Sequence, residues 1–169
     1  MTREFIIRNA KKADHTFILG QSRNLAETAC LDWHSDSALN EMQDSYISEM
    51  LEETTVPHIT LIAEKDGNLL GFIHARSHRD SISEELCGTV PLLSVSPAAQ
   101  GLGVGRKLLN EVEKWASKQG YGLLHLEVFA NNTKALRFYE HIGFQRETLH
   151  MVKTVERVNR IKSRRVDTK

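Results

Sequence analysis

The stretch Leu92–Leu109, LLSVSPAAQGLGVGRKLL, decides how this chain is read. A short apolar run closes at Pro97, and glycines follow at alternate positions: Gly101, Gly103 and Gly105. From Val104 the apolar residues Leu108, Leu109, Val112, Trp115 and Ala116 recur at helical spacing until Gly120. The period changes from strand to helix across the glycines, which places them in a strand-to-helix turn. A helix N-terminus offers unpaired N–H groups and the positive end of the helix dipole, and glycine lets an anion approach them closely. The stretch therefore predicts a phosphate or pyrophosphate cradle. A turn that merely needs positive φ would require one glycine, not three.

Two familiar phosphate loops are excluded by spacing. A nucleoside-triphosphate loop needs Lys and then Ser or Thr after its last glycine, whereas Gly105 is followed by Arg106-Lys107 with no hydroxyl residue next. A dinucleotide loop would put its third glycine at Arg106, and the strand before it would open the chain. Here that strand follows hairpins.

Working outward, EFIIR near the start reads as a strand, and Asp14 is a helix N-cap before HTFILGQSRNLAETA. Leu39, Met42, Tyr46 and Met50, widened by Ile47 and Leu51, predict a second helix. HITLIAEKDGNLLGFIHARSH is a hairpin turning at Asp66-Gly67-Asn68, and TVPLLSVSP is a further strand. Beyond the glycine helix, YGLLHLEVFA predicts a strand. NNTKALRFYEHIG is a short helix capped by Asn132 or Thr133 and ended at Gly143, and FQRETLHMVKTV supplies closing strands. The order βααβββαβαβ implies an α/β (α+β) fold with a mixed sheet and helices on its faces.

These residues resemble the signatures of the GNAT superfamily of acyl-CoA-dependent N-acetyltransferases. The first is a Val-x-Pro strand end followed by Gln-x-x-Gly-x-Gly, here Gln100, Gly103 and Gly105. The second lies in LEVFANNTKALRFYEHIGF, with Leu126, Val128, Asn132, Ala135, Tyr139, Gly143 and Phe144 in order. The resemblance covers Ile59 to Val155 well and the first 55 residues only in their βαα pattern. It implies a mostly antiparallel sheet whose two central strands splay apart, the strands around Leu92–Val95 and Leu124–Phe129. It also implies acetyl-CoA as acyl donor, with no metal. The pantetheine arm would pair with the backbone of the Leu93-Ser94-Val95 strand end. The N–H groups from Gln100 through Gly101, Leu102, Gly103, Val104, Gly105 and Arg106 would hold the pyrophosphate, with Asn132, Ala135 and Tyr139 beside the donor.

The implied reaction is direct attack of an amine on the thioester. Tyr139 stands where the family carries its proton donor, a phenol of ordinary pKa about 10. The family's frequent carboxylate at the entry to the cradle strand is replaced by Thr89-Val90-Pro91. Glu127, with His125 on the same face of the next strand, is left as the candidate base, with ordered water as the alternative.

Charge balances at 22 basic against 22 acidic residues, yet Asn24–Thr55 holds eight acids and no Lys or Arg. Such a mouth, joined by Glu84 and Glu85, would attract a small cationic amine resembling a polyamine or aminoglycoside. Trp33, His34 and Asp36 are the candidate acceptor residues between the first helices. The alternatives are a protein N-terminal or lysine acetyltransferase, and a non-catalytic acyl-CoA sensor.

The 169 residues suit one domain over 1–155 with a basic tail over 156–169. The tail lacks interleaved aromatics, so no nucleic-acid partner is expected. No run of eighteen apolar residues exists, no membrane partner is expected, and a cytoplasmic location follows. A homodimer is compatible with the sequence. Cys30 and Cys87 are too far apart for a ligand motif and read as buried free thiols. His74 and His78, four apart on a strand, are about 13 Å apart and cannot share a metal.

Overall fold

The computed structural model describes residues 4–29 and 31–156. Cys30, the first three residues and the tail beyond Glu156 lie outside the described residues. The elements in chain order are β1 (Ile6–Asn9), α1 (His15–Gly20), α2 (Ser22–Glu27), α3 (Asp36–Glu52), β2 (His58–Lys65), β3 (Asn68–Arg79), β4 (Leu86–Val95), α4 (Val104–Lys118), β5 (Leu124–Leu126) and α5 (Thr133–His141). The five strands form one sheet in sequence order. β1 to β4 pair antiparallel and β5 joins β4 in parallel, so the expected mixed, mostly antiparallel sheet is present.

Local chemistry sets most boundaries. Asp66 and Gly67 both take positive φ, 49° and 80°, the geometry of a two-residue hairpin turn whose twist matches its strands. Ser35 caps α3, its hydroxyl accepting from the Ala38 N–H, and Asn132 caps α5 by accepting from the Ala135 N–H. Gly120, at φ 81°, follows the end of α4.

Two cores lie on opposite faces of the sheet. On one face, Leu61, Ile73 and Val90 pack with Val104, Leu108, Leu109 and Val112 of α4. On the other, Ile62, Phe72 and Leu92 pack with Ile18 of α1 and Ile47 and Met50 of α3. Strand alternation sorts the rest: Phe72, His74 and Arg76 share the α3 face of β3.

Four expectations need correction. The single first helix breaks at Gln21, because the side chain of Gln21 is buried and its Oε1 accepts from Ser94 Oγ at 3.0 Å and Asn24 Nδ2 at 3.1 Å. Asp14 precedes α1 without capping it through its side chain; it accepts instead from the Arg8 guanidinium at 2.7 and 2.9 Å and from the Lys11 N–H. The closing strands do not form: residues 144–156 follow α5 without regular structure, and 145–156 are exposed. Their alternating apolar residues find no ladder there. The stripe of α3 is also narrower than its period suggested, since Met42 is exposed while Leu39, Ile47 and Met50 are buried.

His74 is fully buried on the α3 face, its Nδ1 2.9 Å from Thr60 Oγ1. Burial first, then the nearby His58 and Arg76, lower its pKa to about 4. The unfolded chain binds a proton near pH 6.5 that the folded chain refuses until about 4, so stability is full above the unfolded value and falls as pH drops through that window. Urea unfolding at pH 7 and at pH 5 should show a loss of roughly 2 kcal/mol from this group. His74→Gln should flatten that part of the pH dependence.

Candidate active site

The site begins where the register of β4 slips. Leu92 faces His74 and Thr89 faces Arg76, so Val90 and Pro91 together oppose Ala75. This is a β-bulge with one extra residue on β4, and such a bulge bends its strand and reverses the alternation beyond it. Val90 accordingly packs on the α4 face and Leu92 on the α3 face. The Gly88 N–H donates toward β5, to the Leu123 carbonyl at 3.0 Å, while the Ser96 N–H donates to Leu70 on β3 at 2.8 Å. With Ser94 opposite Phe72 and Leu92 opposite His74, alternation assigns the backbone groups of Leu92, Ser94 and Ser96 to β3. Those of Leu93 and Val95 then point toward β5, which pairs with β4 only as far as Val90–Leu126. A gap opens there, edged by unpaired N–H and C=O groups.

The gap leads to the glycine turn. Gly101 and Gly103 adopt φ of 81° and 79°, and Gly103 is the N-cap of α4 without any side-chain cap. The first helical bond runs from the Lys107 N–H to the Gly103 carbonyl, which leaves the N–H groups of Gly103, Val104, Gly105 and Arg106 without helical partners. A pyrophosphate fits this set of donors. Gly105 has a different reason for being bare: a Cβ there would stand 3.3 Å from Phe138 Cζ. It lets α5 close onto α4. Gln100 accepts from Lys134 Nζ at 2.5 Å, a second tie between the turn and α5. Leu102 is exposed, and Val104 sends its side chain into the core.

Each face of the gap carries its own chemistry. Tyr139 packs into the α4-side cluster that also holds Leu93, Val95, Leu126 and Phe138, with the Phe138 and Phe144 rings 5.3 and 5.7 Å from its own. Burial pushes its phenol up to about 12. On β5, Leu124 and Leu126 join that same cluster, so His125 turns to the α3 face; Glu127 lies exposed just past the strand, near enough to act on Tyr46 of that face. There the half-buried Tyr46 of α3 is close enough to feel the charges of Arg76, Glu127 and Glu49; burial raises its pKa first of all. His58, Arg76, Thr89 and His125 stand in one cross-strand row on this face. His125 Nε2 lies 4.0 Å from Asp80 Oδ1, whose carboxylate Ser83 holds below its ordinary pKa.

The other expected residues are distributed unevenly. Ser94 uses its hydroxyl on Gln21 and its backbone on β3, so it supports the gap wall rather than edging it. Asn132 and Ala135 form the cap of α5. Trp33 and His34 are exposed between α2 and α3 and Asp36 is exposed at the start of α3, whereas Glu84 and Glu85 sit exposed on the β3–β4 turn. The acids of α3, Asp36, Glu41, Asp44, Glu49 and Glu52, are likewise exposed. Tyr46 and Arg76 escaped the sequence reading; the one signal for Arg76 was a charge inside a β-rich run. Among the described residues no three His, Cys, Asp or Glu side chains are placed to hold a metal ion, and no helix is long and apolar enough to cross a membrane.

Residues 24–144 match the profile of the acetyltransferase (GNAT) family. A mycothiol acetyltransferase of Jonesia denitrificans is 34% identical over 122 residues, 70% of this chain, which spans 37% of that relative's length. Among solved structures, an assigned acetyl transferase of Pyrococcus furiosus superposes with a TM-score of 0.75 at 23% identity, covering 90% of this chain and all of that one. AAC(6')-Iy in complex with the bisubstrate analogue CoA-S-monomethyl-acetylneamine superposes with a TM-score of 0.61 at 21% identity, covering 92% and 99%. At such identities the solved structures share the fold.

The two kinds of glycine should separate experimentally. Gly103→Ala, strained by its positive φ, should cost about 1 kcal/mol and raise KM for acetyl-CoA. Gly105→Val should lower the melting temperature by displacing Phe138. Thermal melts beside the KM of each variant check both outcomes.

Proposed function

We propose that this chain, a member of the acetyltransferase (GNAT) family, transfers an acetyl group from acetyl-CoA to a primary amine by direct attack. The observation that carries this reading is the gap itself: unpaired backbone at Leu93 and Val95 continues into the unpaired N–H groups at the start of α4. An extended amide-bearing arm that ends in a pyrophosphate matches both in order. Bound there, acetyl-CoA supplies the thioester; the protein supplies position and proton control.

The amine forms its C–N bond as the C–S bond breaks, and one proton leaves the nitrogen. Glu127, on the α3 face, draws in the ammonium and takes its first proton so that the neutral amine attacks; the second, lost as the C–N bond forms, passes to water. Tyr139, on the opposite face, donates a hydrogen bond to the departing thiolate. The exposed acids of α3 and the β3–β4 turn favour approach of a cationic acceptor, the reading we propose over transfer to protein lysines. No covalent enzyme intermediate is needed, and Cys87, buried with its pKa raised by that burial, takes no part.

Thiol release from acetyl-CoA across a panel of amines tests the assignment, and tight acetyl-CoA binding without turnover on any acceptor would replace it with an acyl-CoA sensor. Tyr139→Phe should lower kcat about ten- to a hundred-fold, the worth of a hydrogen bond to a charged group, with KM for acetyl-CoA nearly unchanged. Because the phenol keeps its proton to about pH 12, the wild-type kcat profile should carry no tyrosine limb below pH 10. Glu127→Gln should lower kcat/KM for the amine and leave acetyl-CoA binding intact.

A further inference from the structure

We propose that Arg76 recognises the acceptor, and that the acceptor is an α-aminoacyl group: an amine with a carbonyl or carboxylate oxygen one carbon away. The inference rests on the acetyltransferase reading and names its substrate class. Arg76 Nε is buried and has no hydrogen-bond partner, the one such side-chain nitrogen or oxygen among the described residues. The nearest carboxylate, Glu53, stands 3.7 Å from Nη1, beyond hydrogen-bond range. Glu53 instead accepts from the N–H of Thr55 at 2.7 Å and its hydroxyl at 2.5 Å. A guanidinium carries five donors in a fixed fork suited to a planar oxygen acceptor. A buried unpaired donor costs stability, so one in a native site calls for a reason.

Its surroundings supply one. Arg76 is the middle of the α3-face row, with His58 on one side and Thr89 on the other, and Thr89 adjoins His125. The strand positions of Arg76 and His125 are about 10 Å apart across two ladder spacings, and Glu127 follows His125 on the same face. Tyr46 of α3 is near enough to both for the Arg76 cation and the Glu127 anion to act on its phenol. The Arg76 side chain is 38% exposed although its Nε is buried, so a ligand meets the Nη edge of the guanidinium and not Nε. A plain alkylamine would satisfy Glu127 and leave Arg76 with only its 3.7 Å ion pair to Glu53. An α-aminoacyl group presents its nitrogen to the carboxylate and its oxygen to the guanidinium together.

The test is calorimetric binding to the CoA-loaded protein, paired with thiol-release kinetics. The acceptors are alaninamide, free alanine and isopropylamine, which has the same branched carbon without the oxygen. Wild type should bind alaninamide or alanine about ten-fold or more tightly than isopropylamine, the worth of one charge-assisted hydrogen bond. A preference for alaninamide indicates a peptide or amide acceptor; a preference for alanine indicates a free amino acid. Arg76→Gln should erase the preference, weakening alaninamide and alanine relative to isopropylamine, and Arg76→Lys should restore part of it for alanine only. Equal binding of all three acceptors, or an equal loss on all three in Arg76→Gln, overturns the proposal. Selective binding without thiol release would uphold Arg76 and refute the transferase reading, so the two failures are distinct.

Discussion

One extra residue on β4, at Val90-Pro91, is the constraint on which the rest of the structure depends. Upstream of it, β4 bonds to β5 through Gly88. Without the insertion the alternation would run on, Leu92 and Ser94 would face β5, and Leu93 and Val95 would be absorbed by β3. The insertion reverses this. Pro91, with no N–H to give, fits the unpaired position. β4 therefore leaves β5 while staying on β3, and a sheet that would otherwise be continuous holds a slot edged by backbone.

The slot has two sides because the sheet has two faces. On the α4 face the glycine turn and α5 are locked together by the contact of Phe138 with Gly105 and by Lys134 on Gln100. On the α3 face the segment after β5 is drawn to α2 and α3: Phe129 packs with Ala26, Ala29 and Leu39, and Asn131 donates to the Ala29 carbonyl. Glu127 lies between β5 and that anchor. Anion-binding chemistry thus gathers at one end of the slot and carboxylate chemistry on its other face, and a thioester held in the slot would meet an amine from the side opposite Tyr139.

What was legible in the sequence was local. The hairpin turn read at Asp66-Gly67-Asn68, the cap read at Asn132 or Thr133, the Gly120 and Gly143 stops and the long apolar stripe of α4 each depend on residues within a few positions, and each formed, the turn at Asp66-Gly67 and the cap at Asn132. What was not legible depends on distant partners. Gln21 breaks the first helix because Ser94, 73 residues away, needs an acceptor in the core. The run after Gly143 alternates like a strand, yet alternation cannot supply the ladder that a strand requires. The three glycines read as one anion device divide in the structure into two backbone turns and one packing contact. Arg76 had only the faint signature of a charge inside a β-rich run. A charged residue on a strand reads as surface until its neighbours in the sheet are known.

The pKa of Tyr139 constrains the chemistry further than its position does. A free thiol near 8.5 and a phenol near 12 differ by about 3 to 4 units, so full proton transfer from the phenol to the thiolate would be uphill by roughly 5 kcal/mol. The apolar packing that raises the phenol's pKa also strengthens a hydrogen bond from it, since few competing dipoles remain. Tyr139 is therefore suited to stabilise the leaving sulfur as charge develops and then to keep its proton. The thiolate can be neutralised later in water, after release. On the proposed reading, the protons that must move during the reaction are the amine's, and they would leave on the α3 face, beside Glu127, His125 and the Arg76 cation.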